Sequence, residues 1–272
     1  MRQELLKKLL QTAKGMIAPD CIIRNGRIVN VFTNSIDEGQ AVIIKDGFIV
    51  SIEEDNGQNQ FSNTEIIDAK GAYLCPGFID AHTHLDGCYP FYEFVPFAIR
   101  GGTTTVITEC AMVACACGME GVVSFVESTK GFPQRCYFVA PPLTPPFPNM
   151  ETSNGLRLKE FERLLRREDF LGIGEGYWTR VVDGDPRVLK QASLALSMNK
   201  VIDGHAAGAK GKRLIEYILT GITSCHESIT AEEALWRAVL PSSFQADPSN
   251  RFGTIPRAGS DSGGWPCNSP NA

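Results

Sequence analysis

From Pro76 onward the chain repeats one alternation, a short apolar run followed by a stretch with helical spacing. The apolar runs are FIDAH (78–82), TTTVITE (103–109), CYFVA (136–140), LGIGE (171–175), VIDGH (201–205) and ITSCHE (222–227). Between them lie YEFVPFAIRG, MEGVVSFVESTKG, RLKEFERLLRRED, PRVLKQASLALSMN and GKRLIEYILTG. Several of these close on a glycine (Gly101, Gly131, Gly221), the residue suited to the left-handed step past a helix end. Continuous apolar strands separated by helices predict a parallel sheet with helices outside it. Six such units fit an open sheet or most of a closed barrel. The expected fold class is therefore α/β, an incomplete (β/α)8 barrel of TIM type occupying residues 76–240.

A small β-sandwich module is expected ahead of it, in residues 1–75. CIIRNGRIVNVF carries Asn25-Gly26 between β-rich flanks, and AVIIKDGFIVSIEE repeats the device with Asp46-Gly47. Both pairs predict hairpin turns in a mostly antiparallel module. The N-terminal MRQELLKKLLQTAKG places Leu5, Leu6, Leu9 and Leu10 on one side of a helix, read as docking on the protein surface. Near the other end, Thr230 and Glu233 form a capping-box pattern for a helix over 231–240. Residues 241–272 are rich in Pro, Ser, Gly, Asn and Asp without apolar period, and little regular structure is expected there.

Composition narrows the function. With 272 residues and 43% hydrophobic content the chain can bury a large core, and a net charge of −5 argues against nucleic-acid binding. No apolar run approaches the roughly 20 residues of a membrane span, and no export signal opens the chain. Nine cysteines, among them Cys21, Cys75, Cys110, Cys136 and Cys225 in apolar runs, are read as reduced, buried thiols of a cytoplasmic protein. Cys115-Ala116-Cys117 lacks the second cysteine pair of a zinc site. GIGEG lacks the third spaced glycine of a dinucleotide site and the Lys-Ser/Thr ending of a P-loop.

The chain has four histidines, and all fall at the ends of expected parallel strands: His82, His84, His205 and His226. His82 and His84 share a strand face because side chains repeat every two residues. A lone histidine is ordinarily a hydrogen-bonded core residue, whereas four at the end of a barrel where pockets form point to a site. Neutral imidazoles suit a divalent transition ion such as zinc, manganese or iron. Glu175, ending the intervening strand LGIGE between Gly174 and Gly176, can bridge two such ions. An ion of this kind brings bound water to a pKa near neutral, so the chemistry implied is hydrolysis of a C–N bond.

Pro76-Gly77-Phe78-Ile79-Asp80-Ala81-His82-Thr83-His84 resembles the first-strand motif of the amidohydrolase superfamily. IIRNGRIVNVFT (22–33), GGTTTVI (101–107), GIGEGYW (172–178) and above all DGHAAGAKGKRLIEYILTGITSCHESITAEEAL (203–235) are similar to its adenine deaminase branch. The resemblance covers about residues 10 to 240. It implies that His82 and His84 bind one metal ion, His205 and His226 a second, and that Glu175 bridges them where many relatives use a carboxylated lysine. It implies catalytic roles for Glu175 and His226, a small-molecule substrate, and hydrolytic deamination of adenine to hypoxanthine and ammonia.

The chain departs from that pattern in two places. Asp86-Gly87-Cys88 and Glu109-Cys110-Ala111-Met112 stand where adenine deaminases carry Glu-Ser-Ser and Asp-Pro-His-Glu. Asp86 and Glu109 are accordingly the candidate substrate-binding residues. No apolar strand precedes Asp261, so the proton-carrying aspartate of the family's eighth strand has no counterpart, and the chain reads as truncated before strands seven and eight. Weak or absent deaminase activity is the expectation. A cyclic amide hydrolase of dihydroorotase or hydantoinase type and a non-catalytic truncated product are the alternatives. Unpaired sheet edges favour homo-oligomerisation or partial unfolding.

Overall fold

The structure, a computed structural model, describes residues 2–57 and 61–234. The chain divides into two compact units, one comprising residues up to Phe78 with Gly102–Thr104, the other Ile79–Gly101 and the chain from Thr105 onward.

The first unit contains helix α1 (Arg2–Ala13) and strands β1 (Cys21–Arg24), β2 (Arg27–Asn30), β3 (Ser35–Asp37), β4 (Gln40–Lys45), β5 (Phe48–Glu54), β6 (Glu65–Asp68) and β7 (Tyr73–Leu74). They form two small mixed sheets, of order β5-β4-β1-β6 and β3-β2-β7. The Asp46-Gly47 turn is a hairpin as expected. Lys45 faces Phe48 across it, with φ of 48° and 77° at the two turn residues. The Asn25-Gly26 turn is not a hairpin. Asn25 does adopt a φ of 55°, but β1 pairs with β4 and β6 while β2 pairs with β3 and β7. The dipeptide is a corner at which the chain changes sheets. The pairings β1–β6 and β2–β7 are parallel, so the unit is less antiparallel than its turns suggest.

Gly26 is needed at that corner for space. A Cβ there would stand 2.4 Å from Leu74 Cδ1, the end of a half-buried side chain that can rotate away. Gly26→Ala is expected to cost about 1 kcal/mol, the low end of overpacking, as a small fall in the urea midpoint. Of the four leucines of α1, Leu5 and Leu9 are partly covered. Leu6 and Leu10 are exposed, so the leucine face is half as wide in contact as its spacing implied.

The second unit is built on β8 (Phe78–Thr83), β9 (Thr103–Glu109), β10 (Arg135–Ala140), β11 (Phe170–Tyr177), β12 (Val201–His205) and β13 (Ser224–Cys225). Between them run α2 (Phe91–Arg100), α3 (Ala111–Ser128), α4 (Leu158–Leu165), α5 (Trp178–Val182), α6 (Pro186–Ser197) and α7 (Gly211–Ile218). The strands form one six-stranded sheet in sequence order, with parallel neighbours. The sheet is curled. Laid flat at about 4.8 Å per strand it would hold its edge strands about 24 Å apart. Instead the ring of His82, on β8, stacks on that of His226, next to β13, with centroids 3.6 Å apart. The expected α/β fold, an incomplete TIM-type barrel after a small β module, is what the chain adopts. Among the described residues β8 and β13 are its edges.

The helices bury the faces their spacing predicts. In α4, Phe161, Leu164 and Leu165 are buried at i, i+3 and i+4, against a stack of Phe138 and Phe170. In α6, Pro186 occupies the first turn and Asp185 caps it by accepting the Arg187 N–H at 2.9 Å.

Helix α3 begins eight residues before the 119–131 stretch that helical spacing marked. Its first half, AMVACACG, is apolar all round and shows no period. By length and composition α3 is apolar enough to cross a membrane. Gly118 breaks it, at φ 60° and ψ −151°, a conformation essentially reserved to glycine, and Ala114, Val122 and Val126 pack into the core of the sheet.

Of the five cysteines expected to be buried, Cys110 is buried, Cys21, Cys136 and Cys225 are half-buried and Cys75 is exposed. All eight cysteines among the described residues are free thiols. Thr230 accepts the Glu233 N–H at 3.2 Å, and the Glu233 carboxylate returns to Ile229 N at 3.1 Å. That cap opens the helix expected over 231–240, of which residues beyond 234, like Asp261 and the 241–272 segment, lie outside the described residues.

Candidate metal centre

The four imidazoles converge on one carboxylate. Glu175 Oε1 lies 2.8 Å from His82 Nε2, 3.0 Å from His226 Nε2 and 3.2 Å from His84 Nε2, while Oε2 lies 3.3 Å from His205 Nδ1. The nitrogens of His82 and His84 are themselves 3.2 Å apart. The cause is topological. Each side chain sits at or just past the C-terminal end of β8, β11, β12 or β13, and the curl of the sheet turns those ends toward one point. His84, Glu109 and Glu175 make a second overlapping group, and His205, His226 and Glu227 a third.

Three further residues hold this arrangement, two of which sequence reasoning missed as functional. Asp203 accepts a hydrogen bond from His82 Nδ1 at 2.8 Å. It stands two residues before His205, on the same face of β12, and that spacing was the available signal. The Tyr217 hydroxyl accepts the His205 N–H at 2.7 Å and donates to the Gly176 carbonyl, tying β12 to β11 where their register shifts. Its spacing of three from Leu214 made it look like ordinary core. The third is Glu109, whose Oε1 accepts the backbone N–H of Glu175 at 2.8 Å from a buried position. Its Oε2 lies 4.0 Å from His84 Nδ1. Asp86 accepts the Val113 N–H at 3.0 Å, in the first turn of α3, and its Oδ1 makes no hydrogen bond.

Each charge in the cluster shifts its neighbours. Burial works against a proton on His82, but hydrogen bonds to Asp203 and Glu175 outweigh it and push its pKa up to about 10. The hydrogen bond to Glu175 raises His84 too. Burial alone would raise Glu175. Hydrogen bonds from His82 and His84 and the charge of His205 hold it well below the usual carboxylate range. Glu109 goes the other way, pushed up to about 8 by burial and then by the charge of Glu175. Burial and the positive charge of His82 lower His226.

The donor set fits a divalent transition ion. Four imidazole nitrogens and an ionised carboxylate meet within contact distance, and His205 Nδ1 is buried without a hydrogen bond while facing Glu175. Without metal, His82 carries its proton at neutral pH, and a ligand must shed it. Zinc uptake at pH 7 is therefore expected to release at least about one proton per chain, and affinity to climb as pH rises toward 10. Calorimetry in buffers of different ionisation enthalpy measures this. Heats independent of the buffer would contradict it.

A half-barrel of this topology with paired histidines on its first strand defines a class, and comparison supplies its name. A model described as the amidohydrolase family matches residues 65–133, the segment that contains His82, His84 and Glu109. Over that segment the chain carries the pattern of the amidohydrolase family. Among its relatives are the adenine deaminase of Listeria monocytogenes serotype 4b (strain F2365), 33% identical over 234 residues, and that of Archaeoglobus fulgidus, 33% identical over 233. Each alignment takes in 85% of this chain, which spans only 39% and 40% of those two proteins. In fold it is similar to the β-aspartyl dipeptidase of Fervidobacterium islandicum AW-1, at a TM-score of 0.56 and 18% identity, covering 82% of this chain and 63% of that one.

Proposed function

We propose that the chain carries a metal-dependent hydrolase site for a C–N bond, with a purine base as its substrate and deamination of adenine as its reaction. The observation that carries the reading is the convergence of His82, His84, His205 and His226 on Glu175. The similarity to adenine deaminases supplies the substrate class. In this reading His82 and His84 hold one divalent ion, of manganese, iron or zinc, His205 and His226 hold another, and Glu175 serves both. Such ions supply water of lowered pKa and polarise the attacked centre.

The chain's own residues do the rest. Glu175 stays ionised across the neutral range because hydrogen bonds from His82 and His84 and the charge of His205 hold it so, and it offers both oxygens there. His226 is kept neutral by burial and by the charge of His82, so it can donate a lone pair. Asp86, with its free Oδ1, and Glu109 beside His84 are the polar groups we assign to substrate. The free thiols support a cytoplasmic setting, and the two sheet edges among the described residues favour pairing of copies.

The test is ammonia release from adenine by the purified, manganese- or zinc-loaded chain, beside ring opening of dihydroorotate and hydantoin. Faster reaction with adenine is expected, though slow by enzyme standards, since the described residues hold no counterpart of the proton-carrying eighth-strand aspartate that the resemblance implies. The reverse order would assign the site to cyclic amides. Reaction with none of them would leave a non-catalytic metal-binding chain.

A further inference from the structure

We propose that Asp203 is a positioning residue that fixes the ring orientation and tautomer of His82, aiming His82 Nε2 into the metal centre. The inference rests on the metal reading above and adds a residue to it.

Asp203 is held on three sides. Oδ2 accepts from His82 Nδ1 at 2.8 Å, while Oδ1 accepts the Gly204 N–H at 2.9 Å and the Ser224 hydroxyl at 2.7 Å. The three donors come from β8, β12 and β13, three different strands of the curled sheet. A carboxylate fixed this way has no freedom to swing toward the ions itself. It presents one oxygen to His82 and requires the proton of that imidazole to sit on Nδ1. Once the Nε2 proton is shed, as metal binding requires, the lone pair is on Nε2, the nitrogen 2.8 Å from Glu175 Oε1 and 3.2 Å from His84 Nε2. Both side chains are 14% exposed, so water competes weakly for the bond. An outer carboxylate of this kind orients a histidine ligand and raises its basicity, and its loss ordinarily costs 10–100-fold in metal affinity.

The experiment is a double-mutant cycle on zinc affinity, measured by competition with a chelating dye in the full chain. Asp203→Ala is expected to weaken zinc binding by about 10–100-fold and to erase the protected, downfield Nδ1–H signal of His82 in the zinc-loaded protein. In a His82→Ala background the same change is expected to have no further effect, because its only route to the metal is through His82. Asp203→Asn keeps an acceptor, so it should retain the Nδ1–H signal and lose less affinity. If Asp203→Ala does not fold, the cycle run with Asp203→Asn carries the test. Zinc binding by the unaltered chain together with an unchanged affinity in both Asp203 variants would overturn the inference alone. An equal loss with and without His82 would also overturn it, by showing that Asp203 acts on the fold as a whole. If the unaltered chain binds no zinc, the metal reading falls and this inference with it.

Discussion

Glu175→Gln is expected to lower affinity for zinc or manganese by more than about 100-fold, beyond what loss of an outer-shell partner costs. The substitution keeps the volume and one carbonyl oxygen, so packing is not what changes. What changes is that Oε1, shared by His82, His84 and His226, and Oε2, facing His205, no longer carry a charge between them. An amide also replaces one acceptor by a donor, which cannot bind a cation. The carboxylate is held well below its usual range, so the unaltered protein never supplies a neutral Glu175 near pH 7 and nothing in the site is adapted to one. Dye competition gives the result directly. Binding within about threefold of the unaltered chain would remove Glu175 from the metal site, beneath even the effect of an outer partner.

Gly172→Ala is expected to destabilise the second unit by more than about 3 kcal/mol, above the usual cost of overpacking. Gly172 lies in the middle of β11, paired with Val139 on one side and Val201 on the other. An added Cβ would stand 1.9 Å from the Val201 carbonyl oxygen and 2.7 Å from its carbon. These are backbone atoms, so relief requires separating β11 from β12, the strands that carry Glu175 and His205. The contrast with Gly26 is physical. There the atom in the way ends a side chain, and here it belongs to the sheet ladder. Urea unfolding measures both. A Gly172→Ala midpoint no lower than that of Gly26→Ala would contradict the close approach of the two strands.

Much of this was legible in the residues. The six barrel strands were readable because each is a continuous apolar run bounded by turns, and their observed limits differ from the expected ones by two residues or fewer. The histidines were readable because strand ends at one side of a barrel meet whatever the loops do. Turn chemistry was informative only locally. Asn25-Gly26 specifies a left-handed residue and says nothing of which strands pair, so a corner between sheets was mistaken for a hairpin. Asp203 was hidden because its partner is 121 residues away, across the curl of the sheet. The start of α3 was hidden by a uniformly apolar sequence, in which the glycine kink replaces periodicity. Burial of Cys75 was inferred from its apolar neighbours, but the edge of a small sheet leaves it exposed.

The central claim is that the four histidines and Glu175 form a metal centre. The most direct test is the metal content of the purified, monodisperse chain by mass spectrometry, before and after reconstitution with manganese or zinc. The expected result is one or two transition ions per chain, lost when His82 and His84 are both replaced by alanine. A folded chain that holds no ion after reconstitution, or that holds the same number without those two histidines, would contradict the account.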